Sequence, residues 1–277
     1  MPCRRWTNYL SFDTVGFMKK LCHILIIHLI STVAGNVVAE TSPVVTRIDM
    51  PQRVLFVGNS FSYYNDGLHK HYGNLLRAAE LRDKSNSRLR LLTYSGSGLW
   101  EHAAGLTSAL SNEPWQVVVM HDYSNGPMAE PERFQSSTSE LARIIRENGA
   151  KPVLLMTWAY GGEEKMTSSL DAAYTEQGNV LKAMVIPAGL AFARAGRETS
   201  INLFTPDLLR YENDKAVYKK IIKHPSLAGT YLTACVVFAA FTGQSPEGLR
   251  YDAGLATETA TRLQRIAWQT TVDYYSR

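Results

Sequence analysis

Hydrophobic positions along the chain fall into two alternating kinds of run. Short apolar stretches at residues 54–57, 89–94, 117–120 and 152–158, with a weaker one at 183–186, read as strands, the first of them a buried one. Between them the apolar residues recur at helical spacing. Residues 67–82 place Leu68, Tyr72, Leu75, Leu76 and Ala79 on one face, and residues 131–148 group Phe134, Leu141, Ile144 and Ile145, with Gly149 as the stop. Further helices are predicted at 167–182, 226–241 and 253–275; Pro225 suits the start of the second, and Gly243 follows its end. Strand then helix, repeated, predicts an α/β protein with a parallel sheet covered on both faces. Residues 205–223 fit neither period. They are charged and irregular, and read as a surface excursion.

Composition changes this picture mainly at the N-terminus. Met18-Lys19-Lys20 followed by a mostly apolar stretch to Val33, then Val37-Val38-Ala39, reads as a secretory signal peptide cleaved near Ala39. That stretch is too short to span a bilayer, so no stable membrane insertion is expected after cleavage. Met1 and Met18 are both possible starts. The expected organisation is an N-terminal extension with signal peptide over residues 1–39, a short linker over 40–51, and one catalytic domain over 52–277. The product would be periplasmic or extracellular. The extension carries Arg4, Arg5, Lys19 and Lys20 against Asp13, leaving about +1 of the chain's +4 for the rest. No basic patch is interleaved with aromatics, which argues against a nucleic-acid partner. Cys235 would remain as one thiol inside an apolar run, a core residue rather than half of a disulfide.

The candidate chemistry begins where the first strand ends. In Val57-Gly58-Asn59-Ser60-Phe61-Ser62 a glycine closes the strand and a serine follows two residues later. Ligands bind at the carboxyl ends of strands in open α/β sheets, so Ser60 is a candidate nucleophile. His224, held before Pro225 at the mouth of a helix, is the candidate base. The loops after the second and third strands, Ser95-Gly96-Ser97-Gly98 and His121-Asp122-Tyr123-Ser124-Asn125, offer a glycine N–H and an asparagine amide as oxyanion donors. His69-Lys70-His71 with His102 does not have metal-ligand spacing, and Gly96-Ser97-Gly98 is too short for a dinucleotide loop. No metal or organic cofactor is expected.

This order of Gly-x-Ser, glycine, asparagine and late histidine resembles the SGNH, or GDSL-type, hydrolases over about residues 53–245. Gly58-Asn59-Ser60-Phe61-Ser62 is similar to their first block, with asparagine where aspartate often stands. His224-Pro225-Ser226 followed by Gly229-Thr230-Tyr231-Leu232 looks like their last. The resemblance implies a three-layer α/β/α sandwich with a central parallel sheet, flavodoxin-like in its layers, and esterase or lipase activity. It assigns Ser60 as nucleophile and His224 as base, with the oxyanion held by Ser60 N–H, Gly96 N–H and the Asn125 side chain. Asn59, His121 and His102 are further candidates to line the site, and His121 competes with Asn125 as the third donor.

The last block departs from the family pattern. It usually reads Asp-x-x-His, and the aspartate's place is taken by Ile221, which cannot accept an imidazole N–H. Asp207, Glu212, Asp214, a backbone carbonyl, or a Ser60–His224 dyad without an acid are the open alternatives. Two functional readings follow. The first is a secreted serine esterase acting on a small-molecule or carbohydrate ester, with deacetylation of carbohydrate as one form. The second is a weakly active or inactive carbohydrate- or ligand-binding protein on the same scaffold.

Overall fold

The structure, a computed structural model, describes residues 41–277; the expected signal peptide and its cleavage site lie outside them. Five parallel strands, β1 (Arg53–Gly58), β2 (Arg88–Thr93), β3 (Val117–Met120), β4 (Lys151–Leu155) and β5 (Met184–Ile186), form one sheet in the order β2-β1-β3-β4-β5. That order reverses direction between β1 and β3, and such a switch point opens a crevice at the strands' carboxyl ends. The register makes the three ends level: Gly58 lies opposite Thr93, and Val57 opposite Met120. Loops leaving β1, β2 and β3 therefore emerge side by side.

Alternate strand residues feed two cores, as the two-residue period of a strand requires. Val54, Phe56, Val117, Val119 and Val153 pack with α2 (Leu68–Ala78), α7 (Ala188–Glu198), α8 (Leu227–Thr242) and α9 (Thr257–Tyr275). Leu55, Val57, Val118, Met120 and Leu154 pack with α3 (Ala103–Asn112), α5 (Pro131–Glu147) and α6 (Met166–Leu181). The result is the three-layer α/β/α sandwich. In α8 every residue except Leu227 is buried, which explains its unbroken apolar run. Cys235 lies inside it, and burial pushes its thiol pKa up.

Two helices escaped the periodic reading for a physical reason. α3 buries only Leu106 and Leu110 and carries no broad apolar stripe, while the buried face of α7 is made of Phe192 among small alanine and glycine residues. The excursion after α7 is β structure. β6 (Phe204–Thr205) pairs antiparallel with β9 (His224–Pro225), and between them β7 (Leu208–Glu212) and β8 (Lys215–Tyr218) form a hairpin. Its two-residue turn, Asn213-Asp214, takes positive φ at both positions, the geometry that suits the strands' twist. No helix among the described residues is long and apolar enough to cross a membrane.

Candidate active site

Ser60 opens a one-turn helix, α1 (Ser60–Tyr63), directly beyond β1. Asn59 caps it: its Oδ1 accepts from Phe61 N–H at 3.2 Å. The amide of the same side chain donates to Ser97 C=O (3.0 Å) and Asp122 C=O (3.2 Å), tying the loops after β2 and β3 to the nucleophile turn. An aspartate would cap the helix equally well but has no N–H to give these carbonyls. That accounts for asparagine at this position. Gly58 is required by close approach, since a Cβ there would lie 2.2 Å from His121 Nε2.

His224 comes to Ser60 from the other end of the described chain. Its Nε2 lies 2.8 Å from Ser60 Oγ. Its Nδ1 lies 2.5 Å from Asp207 Oδ1. A carboxylate only accepts, so Nδ1 carries the proton and the Nε2 lone pair faces the serine hydroxyl. Both members of the histidine–carboxylate pair are largely buried, with side-chain exposures of 13% and 10%. The β6–β9 pairing places Thr205 opposite His224, which brings Asp207 alongside the imidazole. Lys219 N–H donates to Asp207 C=O at 2.8 Å and closes the hairpin beneath it.

Tyr64 covers the base. Its ring stacks on His224 with centroids 4.5 Å apart and planes 10° from parallel. Burial, and secondarily the Asp207 charge, raises the Tyr64 pKa, so the ring remains a neutral phenol. The Ser60–His224 pair opens into a cavity of about 440 Å³ whose walls include Tyr63, Tyr64, Gly96, Tyr123, Ser124, Lys219 and Lys223. Gly96 has φ 70°, and the space where its Cβ would stand is open. Among the described residues neither the Ser60 nor the Gly96 N–H donates to another group. Two unspent donors beside a serine–histidine pair can hold the oxygen of a tetrahedral intermediate. A larger groove of about 740 Å³, lined by residues of α5 and α6, contains no such pair.

No family profile and no curated protein matches the chain. Solved structures do. A candidate SGNH hydrolase from Slackia heliotrinireducens is 25% identical, with TM-score 0.51 over 68% of this chain and 98% of that one. A DUF4886 family protein from Bacteroides uniformis is 18% identical, with TM-score 0.57 over 80% and 95%. An acetyl xylan esterase, AlAXEase, is 13% identical, with TM-score 0.50 over 68% and 98%. The chain has the SGNH hydrolase fold.

Within that fold several expected positions need correction. Ile221, three residues before His224 where the acid is usual, is 57% exposed, and of the alternatives left open the carboxylate at the imidazole is Asp207. Asn125 does not line the cavity. It precedes α4 (Gly126–Ala129), and its C=O accepts from Met128 and Ala129 N–H. That loop brings Tyr123 and Ser124 to the cavity, and Ser124 Oγ bonds the Tyr160 hydroxyl at 2.8 Å. His121 does not line it either. It lies buried under the nucleophile turn, with Nε2 2.7 Å from Ser62 Oγ and its ring stacked near Phe61, and burial pushes its pKa down to about 4. His102 is wholly buried, its ring nitrogens 2.9 Å from the carbonyls of Gly58 and Gly98. Asn59 does line the cavity. Asn125 was suggested by order along the chain and His121 by its place at a strand end; whether a side chain turns up into the crevice or down against the sheet depends on the backbone path after the strand.

Proposed function

We propose that this chain is an exported serine esterase hydrolysing carboxylic esters through Ser60, His224 and Asp207. The observation that carries the reading is the unbroken line from Ser60 Oγ through His224 to Asp207, at 2.8 and 2.5 Å. In the proposed reaction His224 Nε2 takes the Ser60 proton as Oγ attacks the ester carbonyl. The oxyanion rests on the N–H groups of Ser60 and Gly96. Asp207 holds the imidazole in the productive tautomer and stabilises the imidazolium. His224 then protonates the departing alcohol; water, deprotonated by the same nitrogen, attacks the acyl carbon, and the proton returns to Ser60 Oγ as the acyl group leaves as a carboxylic acid. The residues described so far suffice for every proton transfer.

Acetylated carbohydrate is the proposed substrate class. Tyr63, Tyr64 and Tyr123 bring amphipathic rings to the cavity, and one neighbour of the same fold is named an acetyl xylan esterase. The rival reading of a binding protein loses its motive, because a carboxylate stands at the imidazole although Ile221 does not supply it. Export is inferred from the leader-like residues 1–39, and the proposed catalytic unit is residues 52–277.

The test is direct. Purified protein is treated with a fluorophosphonate probe and assayed with p-nitrophenyl acetate. Labelling and turnover are expected, with both abolished in Ser60→Ala and turnover down at least about 10⁴-fold. Folded wild-type protein that neither labels nor turns over would sink the esterase reading.

A further inference from the structure

Two lysines enter the wall of the cavity, and the reaction proposed above gives neither a role. Lys223 immediately precedes His224, and Trp158 Nε1 donates to its carbonyl at 3.0 Å, which holds the backbone. Its half-buried side chain places Nζ 3.3 Å from Ser124 Oγ, 5.0 Å from the centre of the Tyr123 ring and 5.7 Å from that of Tyr160. Lys219 lines the same cavity from the base of the hairpin. The lysine ion pairs of the described residues are Lys70–Asp66 and Lys151–Asp49; neither cavity lysine has a carboxylate partner. The acid at the cavity, Asp207, is committed to His224.

An ammonium has three N–H donors, and Ser124 takes one from Lys223. The two aromatic faces attract the charge but accept no strong hydrogen bond. A half-buried cation has lost part of its water, so a neighbouring anion interacts with it more strongly than with a lysine in bulk solvent. We propose that the ester hydrolysed at Ser60 is an anionic one, its negative group held by Lys223 and Lys219. The proposal rests on the serine-esterase reading and narrows its substrate. A carboxylate on either the alcohol or the acyl part meets the requirement, and an O-acetylated acidic sugar combines it with a ring for the tyrosines.

Two pairs of esters differing only in charge provide the test. One pair is an O-acetylated methyl galacturonide and its uronamide; the other is mono-p-nitrophenyl succinate and the corresponding succinamate. At low salt the carboxylate of at least one pair is expected to show kcat/KM about tenfold or more above its amide, mainly through KM. About 0.5 M sodium chloride should erode that ratio. The Lys219→Gln/Lys223→Gln double variant should bring it near one, and Lys223→Arg should keep it.

Equal efficiencies in both pairs for the wild type, or a preference that survives in the double variant, would overturn the proposal. A loss in Lys223→Gln that is equal for charged and neutral esters would also overturn it, by making Lys223 an oxyanion donor instead. If the wild type hydrolyses neither pair, the esterase reading fails separately. Titration of Ser60→Ala with all four esters then decides the anion site. Tighter binding of a charged member that the lysine substitutions remove supports it, and absence of that difference rejects it.

Discussion

Asp207 reaches the His224 imidazole from seventeen residues upstream, at 2.5 Å. The two-residue strands β6 and β9 pair antiparallel, and everything between Asp207 and Lys219 loops out as the β7–β8 hairpin. The acid and base are thus joined by strand pairing, and neither depends on a helical turn to carry both side chains. Asp207→Asn should leave the geometry but lose the carboxylate that fixes the tautomer. By the serine-protease precedent kcat is expected to fall about 10⁴-fold with KM little changed. Ile221→Asp should not raise turnover, because that side chain points to solvent. Steady-state kinetics on p-nitrophenyl acetate checks both, and an Asp207→Asn enzyme within threefold of wild type would remove Asp207 from the mechanism.

Tyr64 lies flat on the imidazole. In the proposed reaction His224 becomes cationic during attack, and the ring face should then stabilise it by about 0.5–2 kcal/mol, which is roughly 2- to 30-fold in rate. Tyr64→Leu is expected to lower kcat in that range, while Tyr64→Phe retains most of it. Equal kcat for the leucine and phenylalanine variants would show that the stacking does not act on the reaction.

Asn59 has two amide hydrogen bonds to carbonyls of separate loops. Asn59→Asp replaces donors by acceptors, leaves the Ser97 carbonyl without a partner, and leaves the Asp122 carbonyl only His121 Nδ1 at 3.2 Å. Stability should fall by about 2 kcal/mol, and Tm by roughly 6 °C for a domain of this size. Thermal unfolding monitored by circular dichroism reads this directly, and an unchanged Tm would mean that water replaces the amide.

His121 makes stability depend on pH. Its imidazole is held neutral, with a pKa of about 4 in the folded protein, against about 6.5 in an unfolded chain. Between these values the unfolded state binds a proton that the native state refuses. The stabilisation is complete above about pH 6.5 and is lost as pH falls towards 4, in total on the order of 3 kcal/mol. Asp122, whose pKa burial raises, acts in the opposite sense as pH rises. His121→Asn should therefore flatten the fall in Tm between pH 7 and 4.5. In the wild type, the His121 ring resonances should keep their neutral positions to about pH 5; titration near 6.5 would refute the assignment.

Ser60 and His224 were legible because each sits beside strong local punctuation. Gly58 ends an apolar run, and Pro225 opens a helix, so the side chains between such marks have little freedom of placement. Four of the five strands were legible for the same reason: runs of Val, Leu, Ile and Met between breakers leave few alternatives to burial, whereas β2 lies at the sheet edge with no fully buried residue. α3 and α7 were not: α3 buries two leucines alone, and the buried face of α7 is built mostly of alanine and glycine, whose small side chains give a faint apolar signal. Asn125 against Ser124 was a matter of one residue in a turn, and no period exists there to set the register.

The order of residues along this chain therefore decided the sheet, most of its covering helices and the two ends of the candidate reaction line. Those features arise from the chemistry of neighbouring residues. The partner of His224, the burial of His121 and His102, and the two lysines facing the cavity came only with the folded chain. Each depends on which distant segments become adjacent, and that is set by how β6 finds β9 and by the way three loops crowd the switch point of the sheet.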